Sequence, residues 1–306
     1  MNNVNYPGYI NLKEELHKRI EEGYSILRRC TLCGRECKSD RFTQKGVCGG
    51  GLLPTVSSHN LHFGEEPPIS GKSGSGTIFF TGCSLSCVFC QNYPISQHRI
   101  GNEISIEKLA EYMLSLEHEG AHNINLVTPT HYIPQILASL EIAIERGLSI
   151  PIVYNTGGYD SLETIRLLRG IVDIYLPDAK YSDEQLALKY SGVKDYINVN
   201  RKAICEMHSQ VGDLLLNNGV AVRGILVRHL VLPSHIENTK GVLRFLKSVL
   251  PEIKISLMGQ YFPCNRAKDY PEINRRLSKG EYGEAISIMH SFSLEGYTQE
   301  SAINLL

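Results

Sequence analysis

Two groups of cysteines carry the strongest chemical signal in this chain. The second reads Gly82-Cys83-Ser84-Leu85-Ser86-Cys87-Val88-Phe89-Cys90-Gln91-Asn92, three thiols separated by three and then two residues. Three thiolates leave a tetrahedral zinc ion one ligand short, yet they can hold three irons of a 4Fe-4S cluster and leave the fourth iron open. A structural zinc loop that borrows a fourth ligand from elsewhere is the alternative. The first group, Cys30, Cys33, Cys37 and Cys48, fills four positions by itself. Its Cys-x-x-Cys-Gly turn suits zinc, four thiolates also suit an auxiliary iron-sulfur cluster, and unmetallated thiols are the third reading. Cys205 and Cys264 stand alone and read as small buried apolar residues.

Such thiols need elements to hold them. Residues 11–29 carry Leu12, Leu16, Ile20, Tyr24 and Leu27 on one stripe, so a helix leads into the first group. Residues 49–76 are rich in Gly, Pro and Ser, which predicts a loop without periodicity, joining an appendage to the main body. From Thr77 short β-rich runs alternate with helical stretches: TIFFTG, INLVTP, PIVYNT, VDIYLPDAK, RGILVRHLVLP and IKISLMGQY. Six strand-helix units in series predict an α/β fold with a parallel sheet and right-handed crossovers, two units short of a full eight-unit barrel. A longer helical region interrupts the series from Ser182 to about Asn217, and the tail from Asp269 reads as two short helices ending in a frayed YTQESAINLL. The predicted division is residues 1–75 for the helix, four-cysteine appendage and linker, and 76–306 for the barrel and its C-terminal helices.

Composition narrows the classes. The 306 residues are 42% hydrophobic and 21% charged, with a formal net charge of −1. That excludes a disordered chain and gives no global reason to expect nucleic acid or an anionic membrane as partner. No apolar run reaches the roughly 18 residues of a membrane span, and the N-terminus lacks a signal-peptide pattern, so the chain reads as cytoplasmic. In that reducing compartment thiols more often hold metal or do chemistry than form disulfides.

With the strand TIFFT before Cys83, Phe89 just before the last cysteine and Asn92 just after it, the second group resembles the signature of the radical S-adenosylmethionine superfamily. CVFCQN is similar to the CxFCHN form found in activating enzymes of glycyl-radical enzymes. The resemblance covers roughly residues 24 to 265, through HFGEEPPISG, SGTIFFTGC, NINLVTPTH, VYNTGGY, IYLPDAKY, VRHLVLP and MGQYFP. It looks most like the pyruvate formate-lyase activase homologues. It implies a (β/α)6 partial barrel with a 4Fe-4S cluster and S-adenosylmethionine at the C-terminal edge of the strands. One electron from the cluster would cleave the cofactor to a 5′-deoxyadenosyl radical that abstracts hydrogen from substrate.

The resemblance also assigns roles. Cys83, Cys87 and Cys90 would hold the cluster, with Phe89 and Asn92 beside the cofactor. The loop after the second strand, Thr128-Pro129-Thr130-His131, replaces the family's Gly-Gly-Glu, so only a backbone role transfers. Asn155 and Thr156 stand where the activases carry an Asp-Thr-Asn-Gly run, and the neutral Asn155 weakens any cation site there. Asp178 and Lys180 preserve an Asp-x-Lys, with the lysine near the methionyl carboxylate. Arg228 matches an arginine facing cofactor or substrate, and Gln260 and Tyr261 occupy the same edge. A reductant such as flavodoxin or ferredoxin is implied, together with a glycyl-radical enzyme as target. Action on a small metabolite, or a zinc-stabilised binding protein with a non-catalytic three-cysteine motif, are the rival functions.

Other polar residues read more plainly. His59, His62, His229 and His235 are expected to be solvated or satisfied in the core, whereas His131 should lie near the cluster. Glu65 and Glu66 are expected to cap a loop, with facing the active site as the alternative. Glu206, Met207 and Gln210 are placed at the substrate entrance.

Overall fold

The computed structural model describes residues 7–299. The end of the expected frayed tail, 300–306, lies outside them, as do residues 1–6. The strands are β1 (Thr55–His62), β2 (Ser75–Phe80), β3 (Asn102–Glu103), β4 (Ile124–Val127), β5 (Ile152–Thr156), β6 (Ile174–Pro177), β7 (Leu215–Asn217), β8 (Val220–Leu230), β9 (Lys254–Met258) and β10 (Glu295–Thr298). They form one sheet in the order β10-β9-β8-β6-β5-β4-β2-β1-β3, with β7 paired to β8. The pairs from β2 through β10 along this path are parallel, while β1 runs antiparallel to β2 and to β3. The parallel strands counted in the sequence are β2, β4, β5, β6, β8 and β9, and the sheet stays open, as a partial (β/α)6 barrel does.

Parallel strands need crossovers, and helices supply them. Ile106–His118, for example, starts at Ser105, whose hydroxyl accepts from the Lys108 N–H, and buries Leu109, Ala110, Met113 and Leu116 on one face. β4, β5 and β6 are buried along their whole length, which explains their mostly apolar sequence, interrupted by Asn125 in β4 and by Asn155 and Thr156 at the end of β5. The helix Lys13–Leu27 lies against Ile133–Glu145, and Gly23 permits the approach, since a Cβ there would meet Pro134 at 3.2 Å.

Two expectations need correction. β1 lies inside the stretch expected to be loop, because its residues carry polar side chains on an edge-side strand and so lack the apolar alternation of a half-buried one. β10 occupies part of the tail expected to be helical, short and mostly exposed except for its ladder with β9. Among the described residues no helix is long and apolar enough to cross a membrane.

Candidate active site

The C-terminal ends of the parallel strands bring the predicted residues together through register. β6 and β8 pair Ile174 with Gly224, and four residues further on the ladder closes with a bridge between Asp178 and Arg228. Next door, β5 ends at Asn155 and Thr156. Arg228 therefore donates from Nε to Asp178 Oδ1 at 2.9 Å and from a terminal nitrogen to Asn155 Oδ1. Lys180 donates to the other oxygen of Asp178. Burial alone would raise the Asp178 carboxyl, but Arg228 and Lys180 hold it below its ordinary value. Burial would likewise lower Lys180, yet Asp178 and Cys87 hold it above.

A buttress behind this loop comes from the helix Tyr196–Val211. The Tyr196 hydroxyl donates to the carbonyls of Gly157 and Asp178 and accepts from the Lys180 N–H, and Asn200 donates to the carbonyls of Gly158 and Asp178. Gly158 sits at φ +73, where a Cβ would come within 2.2 Å of the Asp178 carbonyl oxygen. The sequence reading missed Tyr196 and Asn200 because their helix lies in the region that broke the strand-helix alternation. Conversely Glu206, Met207 and Gln210, placed at an entrance, serve packing. Met207 is fully buried, Gln210 accepts from the Tyr175 hydroxyl at 2.7 Å, and Glu206 pairs with Arg169 at 2.6 Å.

The three-thiol loop follows β2 directly. The Cys83 sulfur accepts from the Leu85 N–H at 3.3 Å, Cys87 lies 2.9 Å from the Ser191 hydroxyl, and Cys90 lies 3.2 Å from the Ser96 hydroxyl. Burial pushes all three thiols up, and the Lys180 charge pulls each of them down. Among the described residues no group of three or more His, Cys, Asp and Glu is arranged around a single metal ion. Ligands of one zinc crowd to about 3.8 Å from each other, whereas thiolates of a cubane cluster bind separate irons and stand wider apart. Three thiols, each already touched by an N–H or hydroxyl, fit a 4Fe-4S cluster in donor type and in number. Phe89 packs on Tyr261 with ring centroids 5.8 Å apart, while Asn92 is exposed and turns its N–H toward the Cys90 sulfur.

The remaining predicted residues divide. Thr128 adopts φ 58, its N–H bonded to the Asn155 carbonyl at 2.8 Å, and with Pro129 it turns the chain at the end of β4. Thr130 and Thr156 donate to the buried Asp160, which also accepts from Tyr154, so their hydroxyls face inward. His131 is buried beside the three-thiol loop, its Nε2 2.7 Å from the Thr81 carbonyl, and burial pushes it down to about 3. Gln260 is exposed at the rim. Tyr261 is buried, and its hydroxyl donates to Ile273. Among the other histidines, His229 is fully buried between Ala179 and Thr239, His235 contacts the Tyr190 hydroxyl, and His59 stacks on Tyr112.

The first cysteine group lies against this loop. Gly34 bonds Tyr159 through its N–H, and Arg35 donates to the Ser84 and Gly192 carbonyls. The sequence reading also missed Arg41. It is buried, reaches the sulfurs of Cys30 and Cys48 at 3.8 and 4.0 Å, and donates to the carbonyls of Gly51 and His131. Burial pushes Cys33 up to about 12. These donors suit a metal in type, and two of them, Cys30 and Cys48, lie against the Arg41 guanidinium. Two further expectations change. Glu65 reaches Arg228 at 3.8 Å rather than capping a loop, and the lone cysteines are only half-buried, with Cys264 donating to the Phe89 carbonyl at 3.3 Å.

Comparison with known proteins agrees with this geometry. An uncharacterized protein of Methanocaldococcus jannaschii is 31% identical over 298 residues, covering 94% of this chain and 80% of the relative. A solved structure of Streptococcus suis SuiB bound to the precursor peptide SuiA matches with a TM-score of 0.50 at 12% identity, over 71% of this chain. SuiB bound to S-adenosylmethionine matches at 0.49. This likeness concerns the fold, and the present chain covers only 46% and 45% of those two chains. The family model described as the Radical SAM superfamily matches residues 77–246, a span that begins in β2 and takes in the three-thiol loop and the Asp178, Lys180 and Arg228 cluster. The chain belongs to the radical SAM superfamily.

Proposed function

We propose that the protein is a radical SAM oxidoreductase of the glycyl-radical-activase type. The observation that carries this reading is the three-thiol loop that follows β2 directly, with Leu85 of that loop and Lys180, itself held by Asp178, flanking the same Gly157. Superfamily membership implies a 4Fe-4S cluster and S-adenosylmethionine, which when bound supply reductive cleavage of a carbon-sulfur bond and a 5′-deoxyadenosyl radical for hydrogen abstraction. Cys83, Cys87 and Cys90 would hold the cluster. Lys180 offers its ammonium to a carboxylate, with Asp178 fixing the direction of its Nζ. Arg228, pinned by Asp178 and Asn155, presents a fixed cation at the same edge.

The target reading, a glycine of a partner enzyme, rests on the similarity of CVFCQN to the activase motif. Flavodoxin or ferredoxin would supply the electron. A small-metabolite target is the second reading, favoured by a cavity of about 170 Å³, open to solvent on one side, beside Arg228. The first cysteine group is proposed to bind zinc or an auxiliary cluster on its four thiols alone.

The test is anaerobic reconstitution with iron and sulfide, followed by reduction in the presence of S-adenosylmethionine. About four irons per radical site and formation of 5′-deoxyadenosine are expected. A reconstituted protein that carries zinc alone and cleaves no cofactor is the result that defeats the reading. A glycyl-radical signal by electron paramagnetic resonance on an added partner separates the two targets.

A further inference from the structure

The three thiols of the loop after β2 are not held alike. Cys83 takes its bond from the Leu85 N–H and Cys90 lies beside the Ser96 hydroxyl, so both partners come from within a few residues of the sulfur they touch. The partner of Cys87 lies 104 residues further along the chain, with the Ser191 hydroxyl 2.9 Å from the sulfur. Ser191 in turn lies 2.7 Å from the Tyr181 hydroxyl, which makes a chain of three polar groups. All three residues are buried, Ser191 completely, so bulk water does not compete for either bond.

The fold holds this chain from both ends. Ser191 is the last residue of the helix Glu184–Ser191, and Gly192 at φ 62 lets the backbone turn away there. Two bonds stitch that helix end to the thiol loop, from the Ser86 N–H to the Ser191 carbonyl at 3.0 Å and from the Val88 N–H to the Tyr190 carbonyl at 2.8 Å. Arg35 adds a further tie by donating to both the Ser84 and the Gly192 carbonyls. At the other end the Tyr181 ring meets Tyr196 edge-on, with centroids 5.3 Å apart.

The direction of the chain follows from the sulfur. A cysteine that ligates iron is a thiolate with no proton to give, so the Ser191 hydroxyl must donate to it. The Ser191 oxygen is then left to accept from Tyr181, and each O–H polarises the next. Reduction of a cluster by one electron, from a carrier such as flavodoxin or ferredoxin, adds a negative charge that a donor at a ligating sulfur stabilises. Hydrogen bonds to the sulfurs are among the factors that set the potential of an iron-sulfur cluster.

We propose that Ser191, backed by Tyr181, is a positioning residue that acts through Cys87: its hydroxyl donates to the sulfur of the bound cluster and raises the cluster's reduction potential. The inference rests on the radical SAM reading, which puts a 4Fe-4S cluster on these thiols.

The test is a potentiometric titration of the anaerobically reconstituted protein without S-adenosylmethionine, followed by electron paramagnetic resonance and counting only the reduced-cluster signal that Cys87→Ala lacks. At one fixed potential, Ser191→Ala should show a ratio of reduced to oxidised cluster about threefold to tenfold below wild type, a tenfold fall being about 59 mV for a one-electron couple. Tyr181→Phe should move the ratio the same way by a smaller factor. Because Tyr181 acts through Ser191, the double variant should match Ser191→Ala alone. An unchanged ratio in Ser191→Ala at wild-type iron content, or a double variant that sums the two single effects, overturns the proposal. Should Ser191→Ala fail to hold iron, Tyr181→Phe decides, since it keeps the serine, and an unchanged ratio there overturns the proposal. Formation of 5′-deoxyadenosine by the wild-type protein tests the underlying reading separately, so a protein that cleaves cofactor while its variants titrate as wild type defeats the tuning alone.

Discussion

The Cys83 backbone N–H donates to the Cys48 carbonyl at 3.2 Å. The last residue of the first cysteine group thus positions the first residue of the second, and the appendage is stitched to the loop it precedes. His131 strengthens the seam, since its carbonyl accepts from Arg41 while its ring reaches Thr81.

This contact sharpens the expectation for Cys33→Ser. On the proposed metal-binding reading of the first group, loss of one ligand should lower the melting temperature. The surviving folded fraction should still cleave cofactor, because Cys48 keeps its carbonyl. Metal analysis decides the identity of the site: loss of about one zinc supports a structural ion, and loss of about four irons together with activity supports an auxiliary cluster.

Replacing Cys87 with Ala should abolish 5′-deoxyadenosine formation and the cluster's absorbance while leaving secondary structure by circular dichroism unchanged. A wild-type rate from this variant would show that the cluster is held elsewhere.

Lys180→Ala should weaken S-adenosylmethionine binding by about 1.5 to 3 kcal/mol, the range for a hydrogen bond to a charged group. Arg228 remains to pair with Asp178, so the loop should persist and the cluster spectrum should not change. Equilibrium binding at fixed iron content measures the difference.

His229 sets a pH dependence of stability. Burial pushes it down to about 4 in the folded protein, with the Ala179 carbonyl opposing, against about 6.5 when unfolded. Between those values the unfolded chain binds more protons, so stability is fully present above about pH 6.5 and falls as pH drops toward 4. About 2 kcal/mol should be lost from this residue between pH 7 and pH 5. Urea midpoints of wild type and His229→Gln at both values test it, the variant showing the flatter profile.

Much of the site was legible because its residues sit at strand ends that periodicity can locate. Asp178 and Lys180 follow β6 and Arg228 lies near the end of β8, strands whose apolar runs are unmistakable, and the three-thiol spacing needs no fold to be read. Arg41 was illegible for the opposite reason. Nothing in its neighbours distinguishes a buried guanidinium from a solvated one, and only the packing of the first group against His131 makes the difference. Glu65 and Glu66 looked like polar loop residues because the turn that carries them crosses to β8, a relation between positions over 150 residues apart that no local pattern encodes. Thr130 and Thr156 were assigned to the cofactor loops, Thr130 through its backbone alone, and the acceptor that turns their hydroxyls inward, Asp160, lies just beyond the second motif.

The walls of the cavity beside Arg228 have a bearing on the order of assembly. The turn with Glu65 and Glu66 emerges early in synthesis, while Ser256, Met258 and the end of β10 follow only after the intervening sheet strands have been made. Contacts of such long sequence separation form late and slowly. A ribosome-bound intermediate ending before β9 would therefore expose the Glu65 and Glu66 turn on one side, with the thiol loop already present but its neighbouring chamber unbuilt.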